Sequence, residues 1–192
     1  MKANEAETIL STRLKHGQAV FSLNDLRSLF PERTEKTFTE GIRRLTRLGI
    51  LTRAARGVYV NSNAIPGFWR LEEVASCLRQ GHFNYVSLEF ALSEFGAISQ
   101  VPLGMVTVMT TGRRGLFRTI YGFVEFTHTA RSKEDILAAT LVDDYQNRPL
   151  RLARLETALR DLRRVGRNVY MVDMEEYHDI LEVDIPAFNE MA

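Results

Sequence analysis

Thr34-Glu35-Lys36-Thr37-Phe38-Thr39-Glu40-Gly41-Ile42-Arg43-Arg44-Leu45-Thr46-Arg47-Leu48-Gly49 places Phe38, Ile42, Leu45 and Leu48 at helical spacing, so that they form one apolar stripe. Lys36, Glu40, Arg43 and Arg47 fall on the opposite side of such a helix. The pattern predicts a helix with Thr34 as its N-cap and Gly49 in the left-handed position that ends it. Two short apolar runs follow, Ile50-Leu51-Thr52 and Val58-Tyr59-Val60, joined by a turn carrying Arg53, Arg56 and Gly57. A helix followed by a β-hairpin with basic residues at its tip is the order of the recognition helix and wing of a winged helix-turn-helix.

An amphipathic helix that simply solvates its polar face would show the same apolar stripe. The sign of the charge separates the two readings. Between Arg33 and Arg56 there are seven Arg or Lys residues against two Glu, in a chain whose net charge is only +1. That local excess is the electrostatic footprint of a nucleic-acid contact. Base edges in the major groove would meet Lys36, Thr37, Thr39, Glu40 and Arg43, near the N-terminal end of the helix. Thr34 belongs to the same end, while Arg44 and Arg47, with Arg53 and Arg56 of the wing, would meet phosphates.

The segments before this helix fit the same order. Residues 5–15 carry Ile9, Leu10 and Leu14 among polar residues, and Gly17 ends that helix. Ser22 or Asn24 caps a short second helix with Leu26, Leu29 and Phe30 inward, and Pro31 ends it by pushing the preceding residue out of the helical region. After the hairpin, Asn61-Ser62-Asn63-Ala64-Ile65-Pro66-Gly67 is rich in turn formers and reads as a domain boundary. Residues 1–63 form a DNA-binding domain on this reading, and residues 68–192 a second, mixed α/β domain with a small antiparallel sheet. The fold class is α+β.

In the second domain, residues 69–78 read as a helix, and Ser87 caps another that runs from Leu88 to Phe95. Val106-Thr107-Val108-Met109-Thr110 and residues 119–126 are strand-like, with the glycine-rich basic loop of residues 111–118 between them. Arg113 and Arg114 in that loop are either a solvated hairpin tip or a phosphate contact. Ile136, Leu137 and Leu141 suggest a helix; Leu152, Leu155, Leu159 and Leu162 mark a longer one, and residues 168–172 a last strand. The arginines from Arg148 to Arg167 face either phosphate or the acidic tail, which has seven Asp and Glu residues and no Lys or Arg from Asp173 onward.

The order of these pieces resembles the AbiEi-type antitoxins of type IV toxin–antitoxin systems, over about Glu5 to Phe126. The resemblance is carried by Gly57-Val58-Tyr59-Val60, by Tyr85-Val86-Ser87-Leu88-Glu89-Phe90-Ala91-Leu92-Ser93-Glu94-Phe95-Gly96, by Val101-Pro102, and by Val106-Thr107-Val108-Met109-Thr110-Thr111-Gly112-Arg113-Arg114 returning through Tyr121-Gly122. Further on, Ala138-Ala139-Thr140-Leu141-Val142-Asp143-Asp144 keeps only the outline of the family's pattern. The resemblance implies a DNA-binding antitoxin that represses its own operon, with a neighbouring nucleotidyltransferase-like toxin neutralised without a stable complex. The partner expected is double-stranded DNA; because one winged helix offers few phosphate contacts, either the second domain adds more or two copies pair as a homodimer on inverted half-sites.

Enzymatic signatures are missing. His16, His82, His128 and His178 are scattered, with no partner at metal-ligand spacing. No nucleophile elbow, phosphate-binding glycine loop or dinucleotide fingerprint occurs. Glu89 with Glu125 resembles the acid pair of a metal-dependent nuclease, but Phe126-Thr127 follows where such sites commonly place a lysine. No enzyme, cofactor or metal is therefore expected. The single cysteine, Cys77, excludes an internal disulfide, and neither a signal peptide nor a membrane-length apolar run is present, so a soluble cytoplasmic protein is expected. Two other readings remain: a ligand-responsive winged-helix regulator, which needs an apolar pocket in the second domain, and a module that binds protein instead of DNA.

Overall fold

The computed structural model describes residues 2–32, 34–99, 104–142 and 147–187, with side chains of the last helix as far as Glu182. Arg33, the Val101-Pro102 step, Asp143-Asp144 and the end of the acidic tail, all used above, lie outside the described residues. The fold is α+β, with eight α-helices and two sheets among the described residues. The chain divides into two compact units. Met1–Gln80 with Arg118–Tyr121 makes the first, and Gly81–Phe117 with Gly122–Ala192 the second.

The first unit runs α1 (Ala3–Lys15), β1 (Val20–Ser22), α2 (Leu23–Leu29), α3 (Glu35–Arg47), β2 (Leu51–Ala55), β3 (Val58–Asn61) and α4 (Arg70–Leu78). Ser22 caps α2 through a reciprocal box: its Oγ accepts from the Asp25 amide at 3.1 Å, and its own amide donates to Asp25 Oδ2 at 2.7 Å. Phe30, ahead of Pro31, leaves the helix at φ −127°, ψ 75°, as the clash with the proline ring requires. The three strands are antiparallel in the order β1-β3-β2, with Phe21 and Arg53 flanking Tyr59. Leu10, Phe21, Leu26, Phe38, Ile42 and Leu45 are all buried in one core that joins the helices to the sheet.

Three details depart from the sequence reading. Leu48, counted in the apolar stripe, is 54% exposed. The chain leaves α3 in a Schellman turn: Gly49 has φ +72°, the Ile50 amide donates to the Leu45 carbonyl, and the Gly49 amide to that of Thr46. This turn swings Ile50 onto the core in place of Leu48. Arg53 is not at the hairpin's tip, because β2 continues to Ala55 and the turn is Arg56-Gly57, with Gly57 at φ +78°. Finally, Val74 of α4 packs with Val20, Val58 and Val60, so this unit extends beyond Asn63 to Gln80.

The second unit runs β4 (Asn84–Val86), α5 (Leu88–Glu94), β5 (Met105–Thr110), β6 (Gly115–Thr119), β7 (Gly122–His128), α6 (Lys133–Ala138), β8 (Thr140–Leu141), β9 (Arg151–Ala153), α7 (Leu155–Val165), a 3-10 turn (Val169–Met171) and α8 (Met174–Ala187). The expected small antiparallel sheet is instead a six-stranded mixed sheet in the order β6-β7-β5-β4-β9-β8. β5 runs parallel to β7, and β4 parallel to β9, while β4/β5 and β8/β9 are antiparallel. Residues 111–118 therefore do not form the loop of a hairpin between β5 and β7. The chain passes through β6 first and returns through the two-residue turn Ile120-Tyr121, which lets β7 insert beside β5. Where β7 begins, the Phe123 amide donates to the Gly104 carbonyl at 2.7 Å, and Gly122 has φ +133°. A Cβ on Gly122 would run into that carbonyl.

Leu141 and Leu152, assigned to helices from the sequence, lie in β8 and β9. Two-residue and three-residue strands are too short to show period-2 alternation. The expected last strand at residues 168–172 is the 3-10 turn instead, entered through Asn168 at φ +55°. Ser87 does not cap α5. Its hydroxyl is drawn to the buried carboxylate of Asp161, and Leu88 takes the left-handed φ of +61° to start the helix.

Candidate nucleic-acid interface

Helix α3 is fixed at both ends and along one face. Thr34 Oγ1 accepts from the Thr37 amide at 3.2 Å, and the Thr34 amide donates to Thr37 Oγ1 at 3.3 Å. Phe38, Ile42 and Leu45 are 4%, 3% and 1% exposed, which fixes the helix's rotation. The opposite side presents Lys36, Glu40, Arg43, Arg44 and Arg47, all exposed. Among the described residues Lys36, Arg44 and Arg47 enter no ion pair, so their charge faces solvent unneutralised. Glu40 Oε1 accepts from Arg43 Nη1 at 2.6 Å, a pair whose side chains are 55% and 66% exposed. At that exposure the pair adds on the order of 0.2–1 kcal/mol to stability; its effect is to orient the arginine.

The other residues expected on this helix have different settings. The hydroxyls of Thr34 and Thr37 are engaged in the cap, with Thr37 Oγ1 also donating to the Thr34 carbonyl at 2.8 Å, and Thr39 is half-buried. The sequence reading missed Arg27. From the last turn of α2 it reaches Glu35 at 2.6 Å and lies over the Phe38 ring, 5.0 Å from its centroid. It thereby brings a further cation to the N-terminal end of α3. Its signal was present but faint: an arginine in the last helical turn before a proline-containing turn. In the hairpin, Arg53 and Arg56 are exposed, and Arg53 Nε donates to the Ala55 carbonyl at 3.3 Å.

Arg113 and Arg114 are exposed in the second unit, in the connection between β5 and β6. Beside them the Gly112 carbonyl meets His128 Nδ1 at 2.9 Å, and the His128 carbonyl accepts from Arg164 Nη2 at 3.2 Å. These hydrogen bonds bring the loop and the outward face of α7 together on one side of the unit. The arginines from Arg148 to Arg167 do not act as one set. Arg148 pairs with Glu94 at 2.6 and 2.9 Å, and Arg151 donates to Thr140 Oγ1 at 2.6 Å. Arg154, Arg160, Arg163 and Arg164 are exposed and enter no ion pair among the described residues, with the acidic α8 or elsewhere.

Glu89 and Glu125 do converge, but around Arg167. Its Nε donates to Glu89 at 3.0 Å and its Nη2 to Glu125 at 2.9 Å, while Asn168 donates to Glu89 at 2.7 Å. The hydrogen bond to Glu125 is the largest influence raising the Arg167 pKa, so the guanidinium stays charged and occupies the space between the acids. The second polar knot is Asp161, fully buried, whose carboxylate accepts from Tyr85 Oη and Ser87 Oγ, both at 3.0 Å, and from Arg131 Nη2 at 2.7 Å. Both knots tie α7 and the residue pair just beyond it to the β4–α5 turn.

Cys77 has its thiol pKa pushed up to about 12, first by burial and then by the nearby Asp25 and Glu73 carboxylates. Among the described residues no group of three His, Cys, Asp or Glu side chains is arranged to hold a metal ion, and no helix is long and apolar enough to cross a membrane.

No protein-family model matches the chain, and no curated protein matches it. Among solved structures the chain is similar to the Rv2827c protein from Mycobacterium tuberculosis, with 15% identity and a TM-score of 0.55. The match covers 93% of this chain and 71% of that one. At that identity the likeness concerns the fold alone.

Proposed function

We propose that the first unit is a winged helix-turn-helix that binds double-stranded DNA through α3, and that the protein is a sequence-specific transcriptional repressor. The observation that carries this reading is the outward face of α3. Lys36, Arg43, Arg44 and Arg47 project from one helix that is capped at one end, closed by a Schellman turn at the other, and anchored by three buried side chains. A rigid cationic helix beside a hairpin bearing Arg53 and Arg56 suits a major groove flanked by phosphates. Arg113 and Arg114 add phosphate contacts from the second unit.

Within that function, the resemblance to AbiEi-type antitoxins supports reading the chain as the cytoplasmic antitoxin of a type IV pair. It represses its own operon on inverted repeats as a DNA-bound dimer and answers to a nucleotidyltransferase-like toxin with which it forms no stable complex. A non-enzymatic role is part of this reading, supported by Arg167, which ion-pairs with both members of the acid pair that suggested nuclease chemistry. The test is a reporter driven by the chain's own promoter, with binding measured on the same fragment. The parent should repress and bind, and Arg43→Ala should lose about 1–3 kcal/mol of binding free energy. Equal binding by parent and variant would remove α3 from the interface.

A further inference from the structure

Resting on that reading, we infer that Glu40 and Arg43 together recognise a guanine–cytosine pair in the major groove, with Glu40 as the residue that makes the contact selective. The two stand in the middle of the outward stripe, between Lys36 and Arg47, and a direct hydrogen bond between them favours presenting both to the same partner. Arg43 spends only Nη1 on Glu40; its Nε and Nη2 have no partner among the described residues. Those two N–H groups form the edge that donates in parallel to guanine N7 and O6. Glu40 uses Oε1, which leaves Oε2 as an acceptor beside that donor edge. A guanine–cytosine pair offers two acceptors on the purine and the N4 amino donor on the pyrimidine, which is the complementary pattern. An adenine–thymine pair offers only one acceptor to the arginine edge on its purine and places a thymine oxygen and methyl group where the carboxylate needs a donor.

Phosphate is a poor alternative target for this pair. A carboxylate within 2.6 Å of the arginine repels a phosphate oxygen, whereas Lys36, Arg44 and Arg47 carry no such partner among the described residues. Glu40 therefore lowers the helix's affinity for arbitrary sequence and raises the penalty for the wrong base. It is a specificity residue in its own right and a positioning residue for Arg43.

The test is selection of binding sites from a randomised duplex library by the full-length chain, followed by anisotropy titrations on the best duplex. One position should emerge as guanine–cytosine. Replacing that guanine with 7-deazaguanine, which lacks the N7 acceptor, should weaken binding by the parent roughly tenfold, and binding by Arg43→Ala hardly at all. Glu40→Gln should accept an adenine–thymine pair there within about threefold and bind unrelated duplexes more tightly than the parent does. Both positions are exposed, and unchanged circular dichroism would verify that the variants fold. Discrimination by Glu40→Gln as sharp as the parent's, or indifference of the parent to 7-deazaguanine at every position, overturns the inference while leaving salt-dependent DNA binding intact. Binding to no duplex at all would overturn both it and the winged-helix reading.

Discussion

Asp161 shows how much one residue can demand of its surroundings. A fully buried carboxylate is tolerated only because Tyr85, Ser87 and Arg131 donate to it, and burial with this charge beside it pushes the Tyr85 hydroxyl pKa up. Removing the acid leaves Arg131 without its partner, so Asp161→Ala should destabilise the protein by about 3 kcal/mol in urea unfolding. A loss below about 1 kcal/mol would show that Arg131 simply turns to solvent. Cys77 makes the opposite point. With a thiol pKa of about 12 against an ordinary value of 9.0, the native state keeps a proton that the unfolded chain has lost between those pH values. Stability therefore falls as pH rises through that interval, and at pH 8 iodoacetamide should label native Cys77 far more slowly than the unfolded chain. Equal labelling rates would mean the thiol is accessible.

At the scale of the element, α3 was legible from the sequence because its signals are local and agree. A period of 3.6, a threonine cap and a terminal glycine all fall within sixteen residues, and the structure differs mainly in exchanging Leu48 for Ile50 on the core. The strands of the second unit were legible only as strands. Parallel pairing of β5 with β7 depends on partners far apart in the chain, and nothing in the Val106–Thr110 run itself records its neighbour. Ser87 failed as a cap for a similar reason: its partner Asp161 is 74 residues away. Of the candidate site, the basic face of α3 could be read directly, whereas Arg27 joins it only because the fold sets the end of α2 against the start of α3, and the Glu40–Arg43 hydrogen bond depends on side-chain conformations that spacing does not specify. Two predictions belong here. Gly122→Ala should cost several kcal/mol, about 2 or more, since both the positive φ and the Gly104 carbonyl oppose a side chain; an unchanged melting temperature would contradict it. In the hairpin, Arg53→Ala with Arg56→Ala should weaken binding to all duplexes alike and flatten the salt dependence by about one unit for each phosphate that is no longer neutralised. An unchanged slope would mean that the hairpin does not touch DNA.

For the whole molecule, the division into units matters more than the turn-rich stretch that first suggested a boundary. A fragment ending at Asn63 lacks α4 and bares Val20, Val58 and Val60, so it should be less stable than one ending at Gln80 by at least about 2 kcal/mol. Equal urea midpoints and slopes for the two fragments would place α4 outside the folding unit. The central claim, however, is that the cations of α3 meet DNA phosphates and bases, and the dependence of affinity on salt tests it most directly. The measurement is the affinity of the full-length chain for its selected duplex across a range of salt concentrations, beside the variant in which Arg43, Arg44 and Arg47 are all alanine. The parent should show a log–log slope of about −4 or steeper, and the variant, which loses the phosphate contacts of Arg44 and Arg47, a slope shallower by about two units with much weaker binding. Binding that ignores salt, or a variant whose slope equals the parent's, would contradict the claim.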